Sequence, residues 1–372
     1  MTGERPAASY RAAGVDYDAL DAAKRLAMAE ALATSPLLLA RGGRARDDSR
    51  GEPAFVFELE GRLLALVVEG LGTKSIIARH VLEAQGIDRF AEVAYDTVAA
   101  IVNDLCCVGA LPLVASAYFA TGASDWYRDP DRSAALVTGW RRACDDAGCT
   151  WGGGESPSLP GLLAEADIEL AGAAVGAVPA GRDAILGAEL AAGDEIVLVA
   201  SSGLHANGAS LARLVAGRLP DGYRTELPSG AALGEALLVP SICYAPLIAA
   251  LLEAGSELTY VSHVTGHGLL KLMRARAQLT YRVQRLPAVP EVLAFLVAEG
   301  GLDPHAAYST FNMGAGLALY CRAGGGEEIV RSARDLGFQA LLAGQVEAGP
   351  RQVLLEPVGV RFGGEELELS AG

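Results

Sequence analysis

Hydrophobic patterns of period two and period 3.6 alternate along this chain in two successive series, separated by a polar, Gly-punctuated stretch from 179 to 193. A chain patterned in this way cannot be all helix or all sheet. It must stack strands and helices in layers, and it must do so twice. In the first series, 18–34 reads as an amphipathic helix and the Arg/Gly/Asp-rich 41–54 as a loop. FVFELEGRLLALVVEG then forms a hairpin turned at Glu60-Gly61, and a helix follows over 73–85. DTVAAIVNDLCCVGA at 96–110 is a second helix, stopped by Pro112, before the strand LVASAYFAT, a helix over 131–147 and the strand LAGAAVGAV. The second series runs DEIVLVASS (strand), NGASLARLVAG (helix), LTYVSHVTG (strand), GLLKLMRARA (helix), FNMGAGLALYC (strand), EEIVRSARDLGF (helix) and RQVLLEPVGV (strand). The pattern predicts two domains, 1–178 and 179–372, of α/β (α+β) class.

Charge narrows the function. The net charge of −15 argues against nucleic acid, because phosphate backbones are bound by basic surface. An anionic small molecule would need a local site of backbone N–H groups, metal or Arg. MTGERPAASYRAAGVDYD carries charges where a secretory leader needs an apolar stretch, and no run of about 18 apolar residues occurs. The six cysteines show no pairing framework. A cytoplasmic protein with reduced thiols and no membrane partner is expected.

Neither GxxxxGK[ST] nor a strand-then-helix GxGxxG is present. The chemistry instead concentrates in Gly-rich junctions, and the scarce residues point to them: Asn stands only at 103, 207 and 312, Lys only at 24, 74 and 271. In VVEGLGTKS, Gly70 and Gly72 let backbone approach a ligand, Thr73 can start the next helix, Lys74 adds a point charge and Glu69 a hard oxygen. Asp96, Asn103 and Asp104 put polar groups on an otherwise apolar helix, and their oxygens suit Mg²⁺. WGGGESPSLPG packs three glycines before Glu155, a tight backbone that packing alone does not explain. SSGLHANGAS brings His205 and Asn207 to a helix start, and SHVTGHG brings His263, Thr265 and His267 together. STFNMGAG sets Asn312 before a Gly-Ala-Gly stretch.

The order of these segments says more than any one of them. SYRAAGVD, EGLGTK, VNDLCCVGALP, GGGESPSLPG, SSGLHANGASL, HVTGHG and TFNMGAG resemble, in sequence and spacing, the motifs of the aminoimidazole ribonucleotide synthetase family, over residues 9–360. The resemblance implies an ATP- and Mg²⁺-dependent cyclo-ligase that closes the imidazole ring of a ribonucleotide in purine biosynthesis. It implies a homodimer whose N-terminal domains share a barrel, with a C-terminal α/β domain behind. By the same resemblance, Gly70, Gly72, Thr73 and Lys74 belong to the nucleotide-phosphate loop, with Asn103 beside the cofactor. Glu69, Asp96, Asp104 and Glu155 are metal-side groups. His205, Asn207, His263 and Thr265 face substrate or the transferred phosphoryl.

Three departures fall in these motifs. Glu69 stands where the family has Asp, Ser158 falls where a second acid is lost, and His267 replaces a glycine. They leave open another ATP-dependent reaction of the superfamily, such as a thiamine-monophosphate kinase-like one, or a non-catalytic nucleotide-binding paralogue.

Overall fold

The computed structural model describes residues 17–367; the SYRAAGVD motif at 9–16 lies outside them. The first unit begins with α1 (Tyr17–Ala33), α2 (Pro36–Leu39) and strand β1 (Gly43–Arg46). The hairpin β2 (Phe55–Leu59) and β3 (Arg62–Gly70) follows, turned by Glu60 and Gly61, both at positive φ. Helices α3 (Lys74–Gln85) and α4 (Phe90–Cys107) lead to β4 (Leu111–Thr121), α5 (Pro130–Ala147), β5 (Thr150–Glu155) and β6 (Ile168–Ala177). Its six strands lie in the order β1-β2-β3-β6-β4-β5, antiparallel except for the parallel β4/β5 pair.

The second unit comprises β7 (Glu195–Ala200), α6 (Ala209–Ala216), α7 (Leu233–Leu237), α8 (Ala245–Glu253), β8 (Leu258–His263) and β9 (Leu279–Val283). It continues through α9 (Glu291–Gly300), α10 (Pro304–Thr310), β10 (Ala315–Cys321), α11 (Gly326–Asp335), β11 (Ala340–Ala348), β12 (Gln352–Leu355) and β13 (Val360–Gly363). Its seven-stranded sheet runs β13-β12-β9-β11-β7-β10-β8. Both units are mixed α/β, as the pattern requires.

Helix α4 positions the site. From Val93 to Cys107 every residue is buried, which is how a helix that is apolar on all sides satisfies itself. One side covers the first sheet, the other meets β8 and α8 of the second unit. The opposite face of the first sheet is uncovered and apolar, with Leu66, Val68, Leu113, Val114 and Tyr118 exposed.

Three expectations meet a different structure. The stretch 41–54 is no simple loop: Gly43–Arg46 pairs with β2, and Arg46 is tied to Asp48 and Asp183. WGGGE is the edge strand β5, and packing does explain two of its glycines, while Gly153 takes a positive φ of +102°. A Cβ on Gly154 would lie 2.0 Å from the Ala117 carbonyl oxygen, and one on Gly152 2.7 Å from the Val114 side chain. GLLKLMRARA forms only a 3₁₀ turn over Gly268–Met273, entered through His267 and Gly268, both at positive φ, and Gly268 packs where a Cβ would meet the Tyr308 and Phe311 carbonyl oxygens.

Candidate active site

Spacing along α4 decides which of its polar residues go where. Asp96 and Asn103, seven apart, lie on one face, with Asp104 displaced by about a quarter turn. Polar groups so deep in a core need partners, and the second unit supplies most of them. The Asn103 amide donates to Ile242 O (2.8 Å) and accepts from the Tyr244 N–H (2.7 Å). Both ends are consumed, so Asn103, expected beside the cofactor, is instead a clasp between the units.

Asp96 accepts from the Ser241 N–H at 2.6 Å, and its other oxygen lies 2.5 Å from Lys74 Nζ. Neither side chain of this ion pair has any solvent exposure. The arrangement differs from the phosphate-facing role expected of Lys74 and the metal role expected of Asp96: each already neutralises the other inside protein. The rest of that junction is similarly engaged. The Gly72 N–H, at φ +68°, meets the Glu169 carboxylate, and the Thr73 hydroxyl lies 2.9 Å from that of Ser210. Gly70 turns its N–H to the Glu69 carboxylate (3.3 Å).

Asp104 takes a different direction. Its carboxylate is 2.6 Å from His263 Nδ1 at the end of β8, and only 7% of the residue is exposed. A carboxylate on Nδ1 fixes the ring so that Nε2 is the position left to accept a proton. Asp104 also lines a cleft of about 460 Å³ with Glu69, Thr265, His267, Lys271 and Arg274. Helix α1 covers one side through Lys24, Ala27, Met28 and Ala31.

Electrostatics inside the cleft are strained in both directions. Burial and the adjacent Asp104 carboxylate, which shares a hydrogen bond with it, push Glu69 up to about 7. Glu69 as a whole is nevertheless an exposed residue. Burial would raise Asp104 as well; the His263 hydrogen bond and the charges of His263, Lys271 and Arg274 hold it below the usual carboxylate range. Burial, with Arg274 beside it, drives Lys271 down to about 7 against the pull of Asp104 and Glu69. Opposed shifts of this kind in one cleft mark a functional site.

His205 sits behind the cleft at φ +61°, buried, with Nε2 accepting the Ser202 N–H (3.1 Å). Burial, then His263 and Lys74, keep it neutral, so Nδ1 carries the proton and has no hydrogen-bond partner. Asn312 is fully used, holding Gly203 O, the Ser201 hydroxyl and the Gly314 N–H. Asn207 is exposed on the loop before α6. Glu155 is exposed on β5, in the row Gly70–Ala171–Tyr118–Glu155 across four strands, about 14 Å from Gly70. One chain therefore brings together Glu69, Asp104, His263 and Thr265, and leaves Asn207 and Glu155 outside. Lys271, Arg274 and Glu52 had escaped notice as site residues. Arg274 holds Gly51 O (2.8 Å), and Glu52 accepts from the Tyr260 hydroxyl (2.7 Å). A signal for Lys271 existed: of the chain's three lysines, Lys24 and Lys271 both line the cleft.

Residues 51–178 match the family AIR synthase related protein, N-terminal domain, and residues 191–355 match its C-terminal domain. The chain is 38% identical over 353 residues to a phosphoribosylformylglycinamidine cyclo-ligase of Sorangium cellulosum, covering 91% of this chain and 95% of that one. A protein of the same name from Lachnospira eligens is 32% identical over 350 residues, covering 93% and 99%. Among solved structures, the hydrogenase maturation protein HypE in complex with ATP superposes with a TM-score of 0.58 at 18% identity, covering 80% of this chain and 83% of that one, a likeness of fold.

Proposed function

The chain belongs to the AIR synthase related family, and from this premise we propose that it is the ATP-dependent cyclo-ligase converting formylglycinamidine ribonucleotide to aminoimidazole ribonucleotide in purine biosynthesis. The observation that carries the reading is Asp104, joined to His263 on one side and facing Glu69 across the cleft on the other. Ring closure requires that an amide oxygen be phosphorylated by ATP and that a nitrogen then attack the activated carbon, releasing ADP and phosphate. The protein's tasks are positioning, charge neutralisation and acceptance of a proton. His263, held by Asp104, is suited to the last. Thr265 offers a hydroxyl at the cleft wall.

Two carboxyls pressed together, one pushed up because the other is charged, form a donor set that fits a hard cation. Glu69 and Asp104 would hold Mg²⁺, which binds through one or two carboxylates plus substrate phosphates and supplies positive charge to them. Glu69, one methylene longer than the family's Asp, still reaches Asp104. Asp96 and Asn103 serve the reaction indirectly, by fixing α4 against the second unit, and Lys74 does so by neutralising Asp96. The sequence boundary at 178/179 falls between the two family segments and is kept as the domain division.

The test is ADP release by the purified protein. ADP should form only when ATP and formylglycinamidine ribonucleotide are both present, and EDTA should abolish it. ADP formed with thiamine monophosphate but not with the ribonucleotide would overturn the assignment.

The uncovered face of the first sheet supports a homodimer. Five large apolar side chains exposed on β3 and β4, the two strands that flank β6, form the kind of patch that soluble monomers avoid. Light scattering at low micromolar concentration is expected to give the mass of two chains. A single-chain mass would count against this reading. No described helix is long and apolar enough to cross a membrane.

A further inference from the structure

Lys271 carries a burial cost that Asp104 and Glu69 offset only in part. Only 8% of it is exposed, yet its ammonium has no hydrogen bond or ion-pair partner within reach among the described residues. The other charges of the cleft are better placed. Asp104 has His263, Glu52 has Tyr260, and Arg274 has Gly51 O with Glu52 3.9 Å away. Glu69 and Asp104 attract the Lys271 ammonium from a distance, and Arg274 and Lys24 repel it. A desolvated ammonium held short of every acid around it is expensive, and such groups persist where a ligand completes them.

We propose that Lys271 is a phosphate-binding residue of this cleft, its ammonium meeting an anionic phosphoryl oxygen of the bound ligand. The geometry favours this over a mere counter-ion role. A counter-ion for Glu69 and Asp104 would sit against them, as Lys74 sits 2.5 Å from Asp96 elsewhere in the same fold. With a divalent cation between Glu69 and Asp104, the cleft becomes net positive, and a polyphosphate can enter with Lys271 on one side of it. The inference rests on the proposed reaction for its ligand: the oxygen belongs either to the terminal phosphate of ATP or to the ribose 5-phosphate of the substrate. Separate affinities for the two ligands distinguish them.

Lys271→Met and Lys271→Arg are compared with the parent by calorimetric titration, with a non-hydrolysable ATP analogue plus Mg²⁺ and, separately, with the ribonucleotide. Losing one charge-assisted hydrogen bond should weaken binding of one of the two by about 10- to 100-fold in Lys271→Met, with Lys271→Arg much closer to the parent. Loss confined to the analogue assigns the ATP phosphate; loss confined to the ribonucleotide assigns the ribose phosphate. Unchanged affinity for both in Lys271→Met overturns the proposal. Ligand-free Lys271→Met should also melt above the parent, since an uncompensated buried charge is gone; a lower Tm would make Lys271 a structural residue and overturn it too. Failure of the parent to release ADP, with the analogue still bound through Lys271, would sink the assigned reaction and leave the subsite standing.

Discussion

Lys74→Met should destabilise the protein by about 3–5 kcal/mol, because it strands the Asp96 carboxylate in a site without solvent. For a folding unit of this size each kcal/mol moves Tm by about 2–4 °C, so a drop of roughly 10 °C is expected in calorimetry. Adding Asp96→Asn removes the stranded charge and keeps an oxygen for the Ser241 N–H. The double variant should therefore recover most of the loss, a coupling that independent sites do not show. A surface lysine would behave otherwise. An unchanged Tm in Lys74→Met, accompanied by weaker ATP binding, would return Lys74 to the phosphate loop.

His263→Ala should lower kcat by about 10²- to 10⁴-fold, the range typical of a lost general base, and should also lower the melting temperature, because it leaves the buried Asp104 carboxylate without its partner. Asp104→Asn should cost a comparable factor. It removes the charge that holds the His263 ring, leaving only a neutral amide beside it, and also one of the two carboxyls that face each other in the cleft. The measurement is steady-state turnover at saturating ATP and ribonucleotide. A raised KM with kcat intact in both variants would recast the pair as binding groups only.

What the sequence could disclose follows from how far apart the partners lie. Periodicity alone separated the two series, whereas of the scarce Asn and Lys residues it is Lys24 and Lys271 that line the cleft. A lone polar residue on a buried helix announces that a partner exists, never which one. Asp96 finds Ser241 and Lys74, Asn103 finds Ile242 and Tyr244, Asp104 finds His263, and most of these lie about 140 or more positions away. Hence three residues that looked alike in the sequence divide into an ion pair, a clasp and a site residue. Glycines mislead for a related reason. In WGGGE they read as a tight backbone that packing does not explain, whereas close approach of β5 to β4 demands Gly152 and Gly154. Lys271 was visible as a rarity but sat in what read as an ordinary helix, and its isolation from acids is a three-dimensional property.

Helix α4 ties architecture and chemistry to a single angular setting. Each residue advances an α-helix by about 100°. Inserting or deleting one residue between Asp96 and Asn103 would swing Asp104 out of the cleft if Lys74 kept its hold, or break the hold on Lys74 if Asp104 stayed. Point substitutions at the cleft rim leave that angle alone. Substitutions at cleft positions such as 69 and 267 can therefore change what the cleft accepts, while a change in the length of the segment from 96 to 104 would cost one of the two contacts.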